Sequence, residues 1–524
     1  MNLHLDQMPP LMFLGLIFFL IIGYPVAFSL GAVGLFFGFF AIELGFFSPG
    51  FLQALPERIF GIMSNDLLLA IPFFTFMGAI LERCGLAEDL LDGVGQLFGP
   101  VRGGLAYAVI LVGAVLGAIT GTVAASVIAM GMISLPIMMR YKYDRGLATG
   151  TIAASGTITQ LIPPSLVLIV LADQLGRSVG DMYAGAIGAS FLQVFLFCLY
   201  VFIITLIWPK AAPALPLEAR TLRGWALARK VVVGMVPMLA LIFLVLGTIL
   251  MGLATPTEGG AMGAVGALVL AAMNRRLTGP LVWEGMLTTL RITAMVIFIL
   301  VGSSTFSLVF QGVNGGEWLH GLLSQLPGGQ TGFLIFVNVF VFFLAFFLDF
   351  FEIAFIVIPL LAPVASSLGI DLIWFGVLLG ANMQTSFMHP PFGFALFYLR
   401  SVAAKDAYLD RVTGERIEPI ATRDIYMGAI PYVGLQVILT GFIIAFPGLV
   451  LYFVDAALLV DPSTIHQLDL PQMEGLPPLD LGTGGGALPG LEPPAPLPGL
   501  EPPGQPAPLP GLEPPPQQGA PPAN

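Results

Sequence analysis

Two apolar runs in this sequence are each interrupted at the middle by a pair of prolines. Residues 156–171 read GTITQLIPPSLVLIVL and residues 383–398 read MQTSFMHPPFGFALFY, with Pro163-Pro164 and Pro390-Pro391 at the interruptions. Proline removes a backbone donor and collides with the preceding turn, so a helix must open there. In lipid an opened turn leaves carbonyls that cost several kcal/mol each unless something buried satisfies them. Two such breaks, each with hydroxyl and amide side chains just upstream, suit a chain that holds an ion or a polar substrate at mid-membrane. The pattern points to a transporter.

A lipid setting follows from composition, since 57 % of residues are hydrophobic, 10 % are charged and the mean hydropathy is +0.93. Apolar windows recur from residue 10 to 452, room for about ten or more spans of roughly 20 residues. The net charge of −11 overstates the acidity of this part, because residues 461–524 hold seven acids and no Lys or Arg, leaving −11 + 7 = −4. Cys84 and Cys198 give no metal spacing. No G-x-x-x-x-G-K-[ST] motif is present to cradle ATP phosphates, and no motif suggests an enzyme or nucleic-acid binding.

Along the chain, Gly23-Tyr24-Pro25 splits residues 9–42 into two helices, and residues 86–98 are amphipathic and suited to the interface. Residues 104–119 and 123–138 are apolar and joined only by Thr120-Gly121-Thr122, which predicts a re-entrant hairpin. A second hairpin is expected over 332–363, turning at residues 349–352. A short amphipathic piece at 280–289 is expected to precede a separate span at 292–310, with a Gly-rich loop at 314–330 and a final span over 425–453.

Hairpin followed by broken helix therefore occurs twice. Placing the 140–145, 209–230, 275–276 and 400–423 loops in the cytoplasm puts all of the 20 basic residues there except Arg58 and Arg177, with both termini outside. The two hairpins then enter from opposite faces, as inverted repeats. The fold class expected is an all-α polytopic membrane protein. Its parts are an N-terminal scaffold (1–102), a first transport repeat (103–208, hairpin 103–139, broken helix 146–175) and further scaffold helices (209–330). A second transport repeat (331–400, hairpin 331–367, broken helix 371–400) precedes a cytoplasmic loop with the last helix (401–460). The remainder, 461–524, repeats LPGLEPP and is expected to stay unfolded.

Several motifs admit two readings. Thr255-Pro256-Thr257-Glu258 has the spacing of a capping box with proline at the first helical position, and Glu258 at a membrane helix end also suits a binding role. Asp349 and Glu352 sit in an apolar run and either face a bound cation or mark a hairpin end near water. Gly121, Thr122 and Ser126 suit close helix packing, or, with Gly156, Thr157, Thr159 and Gln160, an oxygen-rich Na⁺ site. His389 is a proton site or a satisfied structural group.

GAITGTVAAS (117–126), GTITQLIPPS (156–165), GLATPTEGGAMGA (252–264) and LDFFEIAFIVIP (348–359), in this order, resemble the large membrane subunit of tripartite ATP-independent periplasmic (TRAP) transporters. The resemblance implies an ion-transporter-like fold with an elevator-type moving domain and Na⁺ as coupling ion, without another cofactor. It also implies a small four-helix membrane partner, a periplasmic substrate-binding protein and a location in the bacterial inner membrane. Carried onto this sequence, it implies Na⁺ ligands among Gly121, Thr122, Gly156, Thr159, Pro163, Asp349, Glu352, Asn382 and Thr385. It places substrate contacts among Thr122, Ser126, Thr157, Ser165, Thr385 and Ser386. Many members have Thr where this chain has His389. MHPPFGFALFYLR is most similar to the branch labelled mannitol/chloroaromatic, which implies 2-oxo or 2-hydroxy monocarboxylates as cargo. A stand-alone Na⁺/organic anion symporter is the competing reading.

Overall fold

A computed structural model describes residues 5–48, 50–346, 348–390, 393–410 and 412–457. The expected Pro-rich extension and Pro391 lie outside the described residues. Gly23, at φ +89, ends helix α1 (Met8–Ile22), and Pro25 caps the start of α2 (Val26–Glu43). A short α3 (Leu55–Met63) bends by 48° into α4 (Asp66–Arg83), and the amphipathic α5 (Leu86–Phe98) follows.

The first hairpin is α6 (Gly104–Thr120) and α7 (Val123–Arg140). The first broken helix comprises α8 (Arg145–Thr157), a tight turn over Ile158–Gln160, and α9 (Leu166–Leu175). Three long helices come next: α10 (Val179–Ile207), α11 (Gly224–Leu250) and α12 (Pro256–Met273). The Thr255–Glu258 motif is a capping box: the Glu258 backbone N–H donates to the Thr255 hydroxyl at 3.3 Å, and Glu258 accepts the Thr255 N–H at 2.8 Å.

Gly279–Gly312 forms one uninterrupted helix, α13, where two pieces were expected. The amphipathic start runs into the apolar part through Leu290-Arg291, with no proline or glycine to break it. The expected Gly-rich loop contains α14 (Gly315–Ser324), with Gly315 and Leu323 buried, before a turn of 113° into α15 (Gly329–Leu344). That helix and α16 (Phe350–Ser367) make the second hairpin. The second broken helix comprises α17 (Leu372–Met383), a turn over Gln384–Phe387, and α18 (Phe394–Val402). The final span is two helices, α19 (Thr422–Ala445) and α20 (Gly448–Ala457), because Pro447 interrupts it.

By length and composition, seven helices among the described residues can cross a membrane, or nine if each bent pair is one span. The apolar helices α1, α6, α9 and α17 are too short to be counted. The arrangement of the half-helices is what an inverted repeat requires. First half α8 packs against second half α18, and second half α9 packs against first half α17. Two broken helices paired start to end run antiparallel. Their breaks meet, since Thr157 Oγ1 lies 3.6 Å from Met388 Sδ. Around them, α4 packs on α12 and α13, and α13 packs on α2.

Candidate functional site

The groups opened at the first break are largely satisfied from within. Ser165 Oγ donates to the Gln160 carbonyl at 2.6 Å and accepts from the Val167 N–H at 3.2 Å, closing the gap and capping α9. Ser190 on α10 donates to the Leu161 carbonyl at 2.9 Å, and the Tyr183 hydroxyl to the Ser165 carbonyl at 3.4 Å. The opened Gln160 and Leu161 carbonyls thus have protein donors, each with a second lone pair remaining, while that of Ser165 also accepts the Ile169 N–H at 3.3 Å. Thr157 Oγ1 is 2.9 Å from the Ala154 carbonyl and accepts from Gln436 Nε2 at 3.0 Å. Thr159 Oγ1 and Gln160 Oε1 are buried and find no hydrogen-bond partner among the described residues.

The second break is satisfied more locally. Thr385 Oγ1 donates to the Asn382 carbonyl at 2.7 Å and Ser386 Oγ to that of Met383 at 2.6 Å. Asn382 Nδ2 reaches the Asn338 carbonyl on α15 at 2.8 Å, tying the break to its hairpin. Gln193 on α10 donates to Gln384. His389 is 3 % exposed, stacks on Phe346 with ring centroids 3.7 Å apart, and leaves both ring nitrogens without a partner among the described residues.

The two hairpin tips and both breaks close around a cavity of about 210 Å³. Gly121 and Thr122 line it from the first tip, Asp349 and Phe350 from the second, Gln160 and Leu166 from one break, Phe387 and Phe394 from the other. Four helices begin at this cavity: α7, α9, α16 and α18. Each start carries unpaired N–H groups and the positive end of a helix dipole. Two are capped, α9 by Ser165 and α16 by Asp349. The other two, opening after Thr122 and Gly393, have no side-chain cap and offer free donors to an anion. Among the described residues, no Lys or Arg lines the cavity.

Of the sequence candidates, Gly121, Thr122, Gln160 and Asp349 meet directly at this cavity. Gly121 sits at φ +64 as the first tip turns, and Ser126 is buried in the first turn of α7. Gly156 packs α8 onto α7, where a Cβ would stand 2.2 Å from Val127. Glu352 does not line the cavity but bonds back to Asp349. Pro163 lines a separate apolar cavity against α10 and α11. The sequence reading missed Tyr183, Ser190, Gln193 and Gln436, which satisfy the breaks from plain spans. A glutamine inside an apolar helix was the available signal for two of them.

A sequence model of the tripartite ATP-independent periplasmic transporter DctM component matches residues 13–449. The chain belongs to this family. Among its relatives, the C4-dicarboxylate TRAP transporter large permease protein DctM of Pseudomonas aeruginosa is 32 % identical over 69 % of this chain and 83 % of its own length. The sialic acid TRAP permease SiaM of Vibrio cholerae is 26 % identical over 74 % and 88 %. The 2,3-diketo-L-gulonate permease YiaN of Escherichia coli is 26 % identical over 78 % and 93 %. In fold, the chain is similar to the YdaH transporter of Alcanivorax borkumensis, with a TM-score of 0.53 at 15 % identity, over 76 % of this chain and 88 % of that one. A TRAP large permease is a transport subunit and not an enzyme.

Proposed function

We propose that this chain imports small organic acids into the bacterial cytoplasm, driven by an inward Na⁺ gradient. A small four-helix membrane subunit and a periplasmic binding protein work with it in the inner membrane, and both termini face the periplasm. The observation that carries the reading is the pair of uncapped helix starts, after Thr122 and Gly393, facing one cavity that no basic residue lines among the described residues. Such a cavity binds a carboxylate through backbone N–H groups. A volume of about 210 Å³ favours a short acid such as a 2-oxo or 2-hydroxy monocarboxylate. The relatives named for dicarboxylate, sialic acid and gulonate transport handle other acids.

Na⁺ is a hard cation that takes oxygen ligands, and the helix ends at Gly121, Gln160 and Phe387 bring carbonyls to the same region. Gly156, Thr159 and Pro163 at the first break, Asn382 and Thr385 at the second, and Asp349 and Glu352 at the second hairpin tip supply the remaining candidates. The repeats move together against the α2, α4, α12 and α13 frame, as in an elevator. Uptake in proteoliposomes with the co-encoded partners tests the reading. Short organic acids accumulate under an inward Na⁺ gradient without ATP. Equal uptake in K⁺-only medium would overturn the coupling.

A further inference from the structure

A second cavity, of about 370 Å³, shares three walls with the central one. Helix α9 contributes Leu166 and Val167 to the central cavity, then Asp173 and Gln174 to the second. Helix α13 contributes Ile292 and Met295, then Leu300, Ser303, Ser304 and Ser307. Helix α16 contributes Phe350 and Phe351, then Phe355 and Pro359. At about 1.5 Å per residue the steps are about 9 Å from Val167 to Asp173, about 12 Å from Met295 to Ser303 and about 6 Å from Phe351 to Phe355. All three walls meet the central cavity first and the second one later in chain order. The two cavities are therefore stacked along one line, with α9, α13 and α16 running the same way between them.

The fourth wall comes from α3 and the start of α4, and it brings Arg58. Among the described residues, two charged side chains line this cavity, Arg58 and Asp173. The carboxylate is already occupied: Asn65 Nδ2 donates to Asp173 Oδ1 at 2.7 Å and Gln174 Nε2 to Oδ2 at 2.8 Å. Arg58 has no ion-pair partner among the described residues. Across from α3, Ser304 and Ser307 add hydroxyls, while Ser303 is committed to the Phe355 carbonyl and ties α13 to α16. A free guanidinium with nearby hydroxyls is suited to a carboxylate bearing a further oxygen. Arg58 is also one of the two basic residues that the proposed orientation leaves on the periplasmic side.

We infer that this cavity is an antechamber that binds the carboxylate of an organic acid on Arg58, about two helical turns before the central cavity. The inference rests on the organic-acid reading but not on Na⁺ coupling. Its test therefore runs in K⁺-only medium without partner proteins. In the full chain with Cys84→Ser and Cys198→Ser, Ser304→Cys places a thiol in the antechamber. The rate of its modification by an anionic thiosulfonate is compared with that by a cationic one.

Pyruvate, L-lactate and succinate are then added as protectants, with glycerol as the uncharged control. The anionic reagent is expected to react at least several-fold faster, and at least one acid to slow the reaction where glycerol does not. Arg58→Gln should abolish both effects, Arg58→Lys should keep part of them, and Arg177→Gln should keep them whole. No protection by any acid, equal protection by glycerol, or protection that survives Arg58→Gln would each overturn the inference. A failure of Na⁺-driven uptake in proteoliposomes would leave these labelling rates unchanged, so the two readings fail separately. Arg58→Lys also serves as the folded reference should Arg58→Gln not express.

Discussion

Asp349 and Glu352 each accept the other's backbone N–H, Asp349 Oδ1 from Glu352 at 2.9 Å and Glu352 Oε2 from Asp349 at 2.8 Å. The reciprocal pair caps α16 where it leaves the second hairpin tip, and Asp349 also lines the central cavity. One carboxylate thus has a structural and a candidate ionic task.

Substitution separates the two. Asparagine caps a helix about as well as aspartate, whereas alanine loses about 1 kcal/mol. Asp349→Asn is expected to express and fold normally while its half-saturation for Na⁺ rises about tenfold, equivalent to about 1.4 kcal/mol of ion binding. Glu352→Gln should show a smaller rise, and Asp406→Asn in the exposed loop none. Uptake against Na⁺ concentration in proteoliposomes measures all three. An unchanged half-saturation in Asp349→Asn leaves the pair as a cap alone.

Helices α8 and α19 touch through backbone, and that contact should tolerate little change. A Cβ on Gly150 would stand 2.1 Å from the Gly428 carbonyl oxygen, and one on Gly428 would stand 2.1 Å from that of Gly146. Backbone cannot swing aside as a side chain can. Gly150→Ala and Gly428→Ala are each expected to cost about 3 kcal/mol or more, the upper end for overpacking. Gly434 on the same helix has nothing within 4 Å of its Cβ, so Gly434→Ala should be neutral or slightly stabilising. Thermal unfolding in detergent followed by size-exclusion elution gives the ranking.

These contacts show where the sequence is informative. The Pro-Pro breaks, the hairpin turn at Gly121 and the Thr255–Glu258 cap are local signals, carried by residues within one turn of each other. Asp349-x-x-Glu352 has the same capping spacing as Thr255-x-x-Glu258, yet its acids drew attention to charge and away from the cap. The Ser190, Tyr183 and Gln436 contacts are long-range, and hydropathy reports that a helix is buried without saying what its polar side chain faces. Helix α13 stayed whole for the converse reason, since a change of polarity does not by itself end a helix.

Outside the membrane, the Asp410 carboxylate is the most strongly held charge. Arg140 donates to it from Nε at 2.9 Å and Nη2 at 2.9 Å, and the Thr413 N–H and hydroxyl add bonds at 2.9 and 2.8 Å. The Arg140 hydrogen bond, ahead of the Thr413 contacts, holds the carboxyl well below its ordinary range. A depressed carboxyl stabilises the fold above its unfolded pKa of about 3.9, and that contribution disappears as pH falls through the lower folded value. Between about pH 5 and 8 it is fully present and flat. Asp410→Asn is therefore expected to lower thermal stability equally at pH 5 and pH 8. The gap from the parent chain should narrow only below about pH 4. A gap that widens on acidification to pH 5 would contradict the assignment.

The crossing of the two breaks offers the sharpest test of coupling between repeats. Gln436 Nε2 donates to Thr157 Oγ1 at 3.0 Å and lies 3.9 Å from Met388 Sδ, so one amide on α19 touches both breaks. All three residues are fully buried. Thr157→Val removes the acceptor and leaves the amide short of a partner, at about 1–3 kcal/mol. Gln436→Leu removes the amide and should cost a comparable amount through lost packing and the lost bond, although the Thr157 hydroxyl still donates to the Ala154 carbonyl. The double variant is expected to be less destabilised than the sum, with an interaction energy of about 0.5–1.5 kcal/mol. Met388→Leu keeps the volume and should cost less than about 1.5 kcal/mol. Additive effects in Thr157→Val/Gln436→Leu, read from thermal or denaturant unfolding, mean that α19 packs against the breaks without this hydrogen bond.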